Sequence, residues 1–176
     1  MAPFPEPQPG LVISYAYLWA EESEQGLVEG RKDRPCAIVL AIDTPKEGRG
    51  PQVAVVPITH TPPRDLSVAL EIPPRVKAHL GLDLERSWII LDEFNVFVWP
   101  GFDLRPIKGK HGRVDYGFLP PRLFEKMIEK IEELRQHGKI DQTSRDELLR
   151  PAINRTVRPE LFQVDRSDEA RCGRGV

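Results

Sequence analysis

The unbroken apolar run over residues 36–42 (CAIVLAI) is the strongest constraint on the fold. An aliphatic run of this length, bounded by turn residues, is typical of a strand that is buried on both faces. A charged segment that begins with glycine and ends with proline, residues 30–35 (GRKDRP), comes directly before it. Arg34 is therefore expected at the entrance to a rigid strand, where its side chain has a defined direction.

A second buried strand is predicted over residues 53–58 (VAVVPI), followed by Thr59 and His60. The segment that joins the two strands, residues 44–50 (TPKEGRG), contains proline and glycine and predicts a turn. A hairpin is the simplest arrangement of two strands joined in this way. Because antiparallel neighbours start and finish together, Arg34 and Thr59 should meet at one end of the hairpin and form a small polar site.

The rest of the chain predicts short strands and one long helix. Stretches rich in aromatic and β-branched residues predict strands at 11–19, 68–72, 88–91, 94–99 and 114–119. Residues 73–80 predict one or two helical turns that Gly81 ends. Apolar residues recur at steps of three and four over residues 121–137, which predicts an amphipathic helix ending at Gly138. We therefore expect a mainly β fold: a small, strongly curved, mostly antiparallel sheet or barrel with one packed C-terminal helix.

Length and composition suit one folded domain. The chain has 176 residues, of which 40% are hydrophobic and 30% charged, and we assign residues 10–137 to this domain. Residues 1–9 are rich in proline and are expected to be flexible. Residues 138–176 carry few large apolar side chains, so we expect a polar C-terminal extension that is partly disordered.

Several classes of function lack their sequence signals. No apolar run is long enough to cross a bilayer, and the N-terminus lacks the basic start and apolar core of a secretion signal. We therefore expect a cytoplasmic protein without a membrane partner. Cys36 lies in a core strand and Cys172 in the polar extension, so a structural disulfide is not expected. The four histidines are scattered along the chain, so we expect neither a metal site nor a cofactor.

The charge pattern restricts nucleic-acid contacts to local patches. A formal net charge of −2 provides no global basic field. Two short segments supply the candidate RNA-binding residues, which are Arg31, Lys32, Lys108, Lys110 and Arg113. Such basic loops also occur as ordinary solvated turns, and this alternative stays open. Residues 20–30 are acidic and should repel RNA unless they fold away.

The order of these segments resembles that of the MazF/PemK family of bacterial toxins. The first matching pieces are Gly10 before the first strand and the sequence KDRP at residues 32–35 before the strand AIVL. The others are VVPIT at residues 55–59 and YGFL at residues 116–119, which leads into the amphipathic helix. The resemblance covers about residues 10–136.

The resemblance implies an SH3-like barrel that forms a homodimer. It also implies the growth-inhibiting toxin of a type II toxin–antitoxin system, an endoribonuclease that cuts single-stranded RNA without a metal ion or cofactor. A cognate antitoxin protein would neutralise this activity. By the family's motifs, Arg34 and Thr59 match the catalytic pair.

These residue types suit the implied chemistry. Attack of a ribose 2′-hydroxyl on the neighbouring phosphate builds negative charge on the phosphoryl oxygens. A guanidinium such as that of Arg34 stabilises this charge with paired donors, while the hydroxyl of Thr59 orients the same group. His60 is an additional catalytic candidate, because an imidazole transfers protons near neutral pH.

Each of these residues also has a simpler interpretation. Arg34 could pair with Glu21, Glu22 or Asp33 at the strand entrance. Thr59 could only complete a strand, and His60 could be an ordinary surface residue. The corresponding alternative for the whole chain is a non-catalytic barrel that binds nucleic acid or a protein partner, or a purely structural interaction protein.

Overall fold

A computed structural model describes residues 4–43 and 50–145 of the chain. Residues 4–9 contain no helix or strand. The described residues form eight strands and three α-helices, which are, in chain order, β1 Leu11–Ala16, α1 Ala20–Glu24, β2 Asp33–Ile42, β3 Gln52–Thr59, β4 Ala69–Glu71, α2 Pro74–Leu80, β5 Trp88–Ile90, β6 Glu93–Val98, β7 Asp115–Phe118, α3 Pro121–Gln136 and β8 Asp141–Ser144. The predicted mainly β fold with a C-terminal helix is confirmed.

The strands form one sheet that is organised around β3. The sheet order is β4-β5-β3-β2-β1-β7, and β6 pairs with β3 and β8. One edge of β3 pairs with β2, whereas the other edge is shared: Gln52 to Val55 pair with β6, and Ile58 and Thr59 pair with β5. A strand that divides one edge between two neighbours bends the sheet, and a register shift between Ile38 and Leu40 adds to the twist. The result is a curved, barrel-like sheet.

The central strand β2 is buried on both faces, as its apolar run predicts. Ala37 and Val39 point into a core cluster that also contains residues of α3. Cys36 and Ile38 point to the opposite side, where they pack in a cluster with the aromatic rings of Tyr15 and Phe97. Cys36 is a free cysteine, and complete burial raises the pKa of its thiol well above the ordinary value. The thiol is therefore unreactive.

The long helix α3 covers one side of the sheet. Its buried residues, Leu123, Met127, Ile131 and Leu134, recur at steps of three and four and pack in the same cluster as Ala37 and Val39. The helix begins at Pro121 and ends at Gln136. His137 follows as the C-cap, and then Gly138 with a φ of 64°. No helix in the described ranges has the length and apolar character that a membrane span requires.

The sheet continues beyond residue 137, where we expected the barrel to end. β8 runs parallel to β6, with Glu93 opposite Asp141 and Val96 opposite Ser144. Arg145 follows β8 and bonds to Asp103. Residues 1–3, 44–49 and 146–176 lie outside the described residues. Most of the predicted hairpin turn and of the predicted disordered extension therefore lie there.

Candidate functional site

The ends of β2 and β3 bring Arg34 and Thr59 together. The antiparallel register places Cys36 opposite Pro57, and Arg34 and Thr59 each lie two positions further toward the same end. Residues that face each other across an antiparallel pair share one face of the sheet. Both residues also line the same groove on the surface. Arg34 and Thr59 therefore lie at the same end of the hairpin, as the sequence predicts.

The groove has two halves that share Arg34, Thr59 and Thr61. One half has a volume of about 670 Å³, and we call it the acidic half because of its carboxylates, Glu21, Glu22, Asp65, Asp92 and Glu93. The other half has a volume of about 760 Å³, and we call it the basic half because of its cationic residues, Lys32, Lys77, Lys108 and Lys110. Arg31 and Arg64 also line the acidic half, and Asp33 and Asp83 the basic half. The Arg34–Thr59 pair therefore lies between a half in which carboxylates outnumber cations and a half in which cations outnumber carboxylates.

Among the described residues, Arg34 is held by an aromatic ring and pairs with no carboxylate. The central carbon of its guanidinium lies 5.0 Å from the centroid of the Trp19 ring, a stabilising cation–π distance. Its Nε atom is buried and has no hydrogen-bond partner among the described residues. Two expected partners are engaged elsewhere, since Glu22 pairs with Arg31 and Asp33 pairs with Arg105, each at 3.6 Å. The guanidinium thus keeps its charge for a ligand.

Thr59 supplies a hydroxyl next to this charge. Its Oγ1 accepts a hydrogen bond of 3.2 Å from the backbone N–H of Thr61, which fixes the oxygen at the end of β3. The hydroxyl proton remains able to donate to an acceptor in the groove. An anion between Arg34 and Thr59 would therefore meet a fixed charge and a hydroxyl donor.

His60 lies on the wall of the basic half between two carboxylates. Its Nε2 atom lies 2.8 Å from Oδ2 of Asp83, and its Nδ1 atom lies 3.4 Å from Oε2 of Glu85. Burial alone would raise the pKa of Asp83, but the hydrogen bond from Lys77 and the charge of His60 outweigh it and lower that pKa. Asp83 therefore stays ionised beside the imidazole.

The support behind Asp83 was not predicted from the sequence. Lys77 has a side chain that is only 5% exposed. Its Nζ atom donates to Oδ1 of Asp83 at 2.6 Å, to Ser87 Oγ at 2.7 Å and to the carbonyl oxygen of Glu85. The only sequence signal for this arrangement is the chain reversal at Gly81, which has a φ of 65° and folds the following loop back over α2.

The structure brings three of the five candidate RNA-binding residues to the basic half: Lys32, Lys108 and Lys110. The Nζ atom of Lys110 also lies 5.5 Å from the ring centroid of Tyr116. Arg31 lines the acidic half instead, where it pairs with Glu22. Arg113 lines neither half and pairs with Asp115 at 2.9 Å. Arg113 thus lies outside both halves of the groove, with its side chain held by the carboxylate at the start of β7, and its role in RNA binding stays a prediction.

The carboxylates of the acidic half disfavour anions. Burial, together with the charges of neighbouring carboxylates, raises the pKa of Asp92 and of Glu93 above the usual values. Glu93 is also structural, because its Oε1 accepts a hydrogen bond of 2.9 Å from the backbone N–H of Ala20 at the start of α1. A phosphate is therefore favoured in the basic half, which Arg34 also lines.

The groove combines three kinds of polar group at one end of a β-hairpin: a guanidinium, a hydroxyl and an imidazole. Among the described residues, no group of three or more His, Cys, Asp and Glu side chains is arranged to hold a metal ion. No protein-family model matches the chain, and no curated protein matches it significantly.

Proposed function

We propose that this chain is a toxin of the MazF/PemK type, an endoribonuclease that cleaves single-stranded RNA without a metal ion. One observation carries the proposal: Arg34 and Thr59 lie at the same end of the β2–β3 hairpin, and both line a groove half that lysines also line. A guanidinium without a carboxylate partner beside a hydroxyl and a basic surface is suited to a phosphodiester.

The reaction begins with the RNA backbone in the basic half, where Lys32, Lys108 and Lys110 attract the phosphates. The ribose 2′-oxygen attacks the neighbouring phosphorus, and negative charge builds on the phosphoryl oxygens. Arg34 stabilises that charge, and the hydroxyl of Thr59 orients the same phosphate. Stacking on Trp19 fixes the guanidinium without neutralising it, so its stabilisation is available at the transition state.

Arg34→Ala tests the proposal directly. The variant should cleave mixed-sequence single-stranded RNA about 10²- to 10³-fold more slowly than the unaltered chain, the usual loss when one charge-stabilising donor is removed. Rates are measured from labelled RNA by gel electrophoresis, with and without a chelator, and the product ends are mapped. Cleavage should survive the chelator.

Arg86→Ala is the matched control. Arg86 also lies over a tryptophan, with its guanidinium carbon 5.1 Å from the ring centroid of Trp88, but it lines neither half of the groove. This variant should cleave RNA at the unaltered rate. Equal losses in the two variants, or no cleavage by the unaltered chain, would contradict the proposal.

The proposal extends to the partners of the toxin. Under it, the protein acts in the cytoplasm as a homodimer, and a cognate antitoxin binds over the groove and blocks cleavage. Light scattering of the purified chain measures whether it is a homodimer. A neighbouring gene for a small acidic protein with a DNA-binding segment would support the existence of a cognate antitoxin.

A second candidate is favoured by the acidic half of the groove. Five carboxylates beside Arg34 oppose a phosphate, as expected for a barrel of the same family that binds nucleic acid or a protein without cutting. RNA binding that weakens steeply with salt, with no cleavage by the unaltered chain, would select this candidate.

A further inference from the structure

The loop after α2 holds His60 from one side. The Nε2–Oδ2 distance to Asp83 is 2.8 Å, and the other oxygen of this carboxylate accepts from the nearly buried Lys77 at 2.6 Å. Ser87 and the carbonyl oxygen of Glu85 accept from the same Lys77 ammonium. The imidazole is thus attached through Asp83 to a lysine that the folded core keeps in place.

The two ring nitrogens of His60 are held unequally. Nδ1 lies 3.4 Å from Oε2 of Glu85, a longer contact than that of Nε2. The side chain of Glu85 is 74% exposed, and the structure shows no salt bridge from it to a described residue other than His60. An exposed pair of this kind contributes little free energy. Nδ1 is therefore the nitrogen that an incoming substrate can reach, by displacing Glu85.

We propose that Asp83 is a positioning residue for His60, and that Nδ1 of His60 removes the proton from the attacking ribose hydroxyl. This inference rests on the proposed endoribonuclease function. With Nε2–H donated to Asp83, a neutral imidazole presents an unprotonated Nδ1. His60 follows Thr59 directly in the chain, and both residues line the basic half of the groove.

The cleavage step is a transesterification in which the protein gains and then loses one proton. The 2′-oxygen forms a bond to phosphorus while its proton passes to Nδ1 of His60. The bond from phosphorus to the 5′-oxygen breaks, and that oxygen takes a proton from water. The hydroxide left behind takes the proton back from His60, so the products are a 2′,3′-cyclic phosphate and a 5′-hydroxyl, and the protein is unchanged.

Steady-state kinetics on single-stranded RNA test this assignment. His60→Gln should lower kcat by about 10²- to 10⁴-fold, the contribution of a general base. Asp83→Asn should lower kcat by about 10- to 10²-fold, the loss typical when a partner that orients a histidine is removed. KM should stay within about twofold in both variants, because neither residue is assigned to binding.

The double variant separates positioning from a purely structural role. Because Asp83 acts through His60, the variant with both His60→Gln and Asp83→Asn should be no slower than His60→Gln alone. Thermal unfolding checks that each variant is folded. His60→Gln leaves the Lys77–Asp83 pair intact, so its result stands even where Asp83→Asn lowers the folded fraction. The matched controls are His79→Gln, an exposed histidine of α2, and Glu71→Gln, an exposed partner of Arg86.

Each outcome decides the inference. An unaltered kcat in His60→Gln, or a further loss when Asp83→Asn is added to it, would overturn the assignment. If Arg34→Ala abolishes cleavage while His60→Gln does not lower it, only this inference fails and the proposed function stands. If the unaltered chain cleaves no RNA, both are overturned.

Discussion

The two halves of the groove differ in charge but are built in a similar way. In each, a nearly buried cation attaches a bordering segment to the barrel. Lys77 holds the loop that carries Asp83 beside the basic half, and Arg145 bonds to Asp103 and to the carbonyl oxygen of Val28 in the segment that follows α1. Both of these cations have a carboxylate partner, whereas Arg34 rests on Trp19. Two paired cations therefore stabilise the segments that border the groove, whereas Arg34 has no carboxylate partner among the described residues.

The largest effect is expected from Arg145→Ala. The Arg145 and Asp103 side chains are only 5% and 12% exposed, and removing one partner of a buried pair costs about 3–5 kcal/mol because the other charge is left uncompensated. Chemical denaturation measures the loss in the free energy of unfolding. Arg113→Ala breaks a pair in which 57% of the arginine side chain is exposed, so it should cost much less than Arg145→Ala, because exposed pairs contribute little to stability. Equal losses of unfolding free energy in the two variants would mean that the Arg145–Asp103 pair does not stabilise the fold more than an exposed pair does.

A smaller effect is expected when the charge of the basic half is reversed. Replacing Lys108 and Lys110 by glutamate should weaken the binding of single-stranded RNA. The slope of log K against log salt should decrease by about 0.7 for each phosphate that the variant no longer neutralises. Fluorescence anisotropy at several salt concentrations measures both quantities. Lys126→Glu, on the exposed face of α3, is the matched control and should leave binding unchanged.

The smallest effect is expected in the acidic half. The pKa of Asp92 is raised in the folded protein by burial and by nearby carboxylates, so the folded state binds its proton more tightly than the unfolded state does. The ionised form therefore destabilises the fold, and this cost develops as the pH rises from the unfolded pKa through the raised folded pKa. Asp92→Asn should be more stable than the unaltered chain at neutral pH, and the gain should disappear at acid pH. Denaturation at a series of pH values measures it, and a gain independent of pH would mean that ionisation of Asp92 does not destabilise the fold.

The parts of the fold that were predicted carry their own local signals. The apolar run 36–42 and the helical period of residues 121–137 each restrict the backbone without help from distant residues. These signals place Arg34 and Thr59 at one end of a hairpin, so the centre of the candidate site was predictable.

The parts that were missed depend on tertiary contacts. β8 has the sequence DQTS, which lacks the apolar alternation of a strand, and it is extended because it pairs with β6. The contacts of Lys77 with Asp83 and Ser87 form only when the loop after α2 folds back. Nor does the local sequence predict that Arg34 lies over Trp19, since that requires the segment after β1 to cross the entrance of β2.

The divided edge of β3 affects which parts of the groove tolerate changes in sequence. Pro57, which lacks an N–H, lies between the residues that pair with β6 and those that pair with β5. Thr59 is paired with Trp88 in β5 and not with β6, so the exposed loop of residues 108–113 can change in length or sequence without altering the pairing that aligns the hydroxyl. The part of the groove that this loop lines can therefore vary while Thr59 keeps its position in the candidate site.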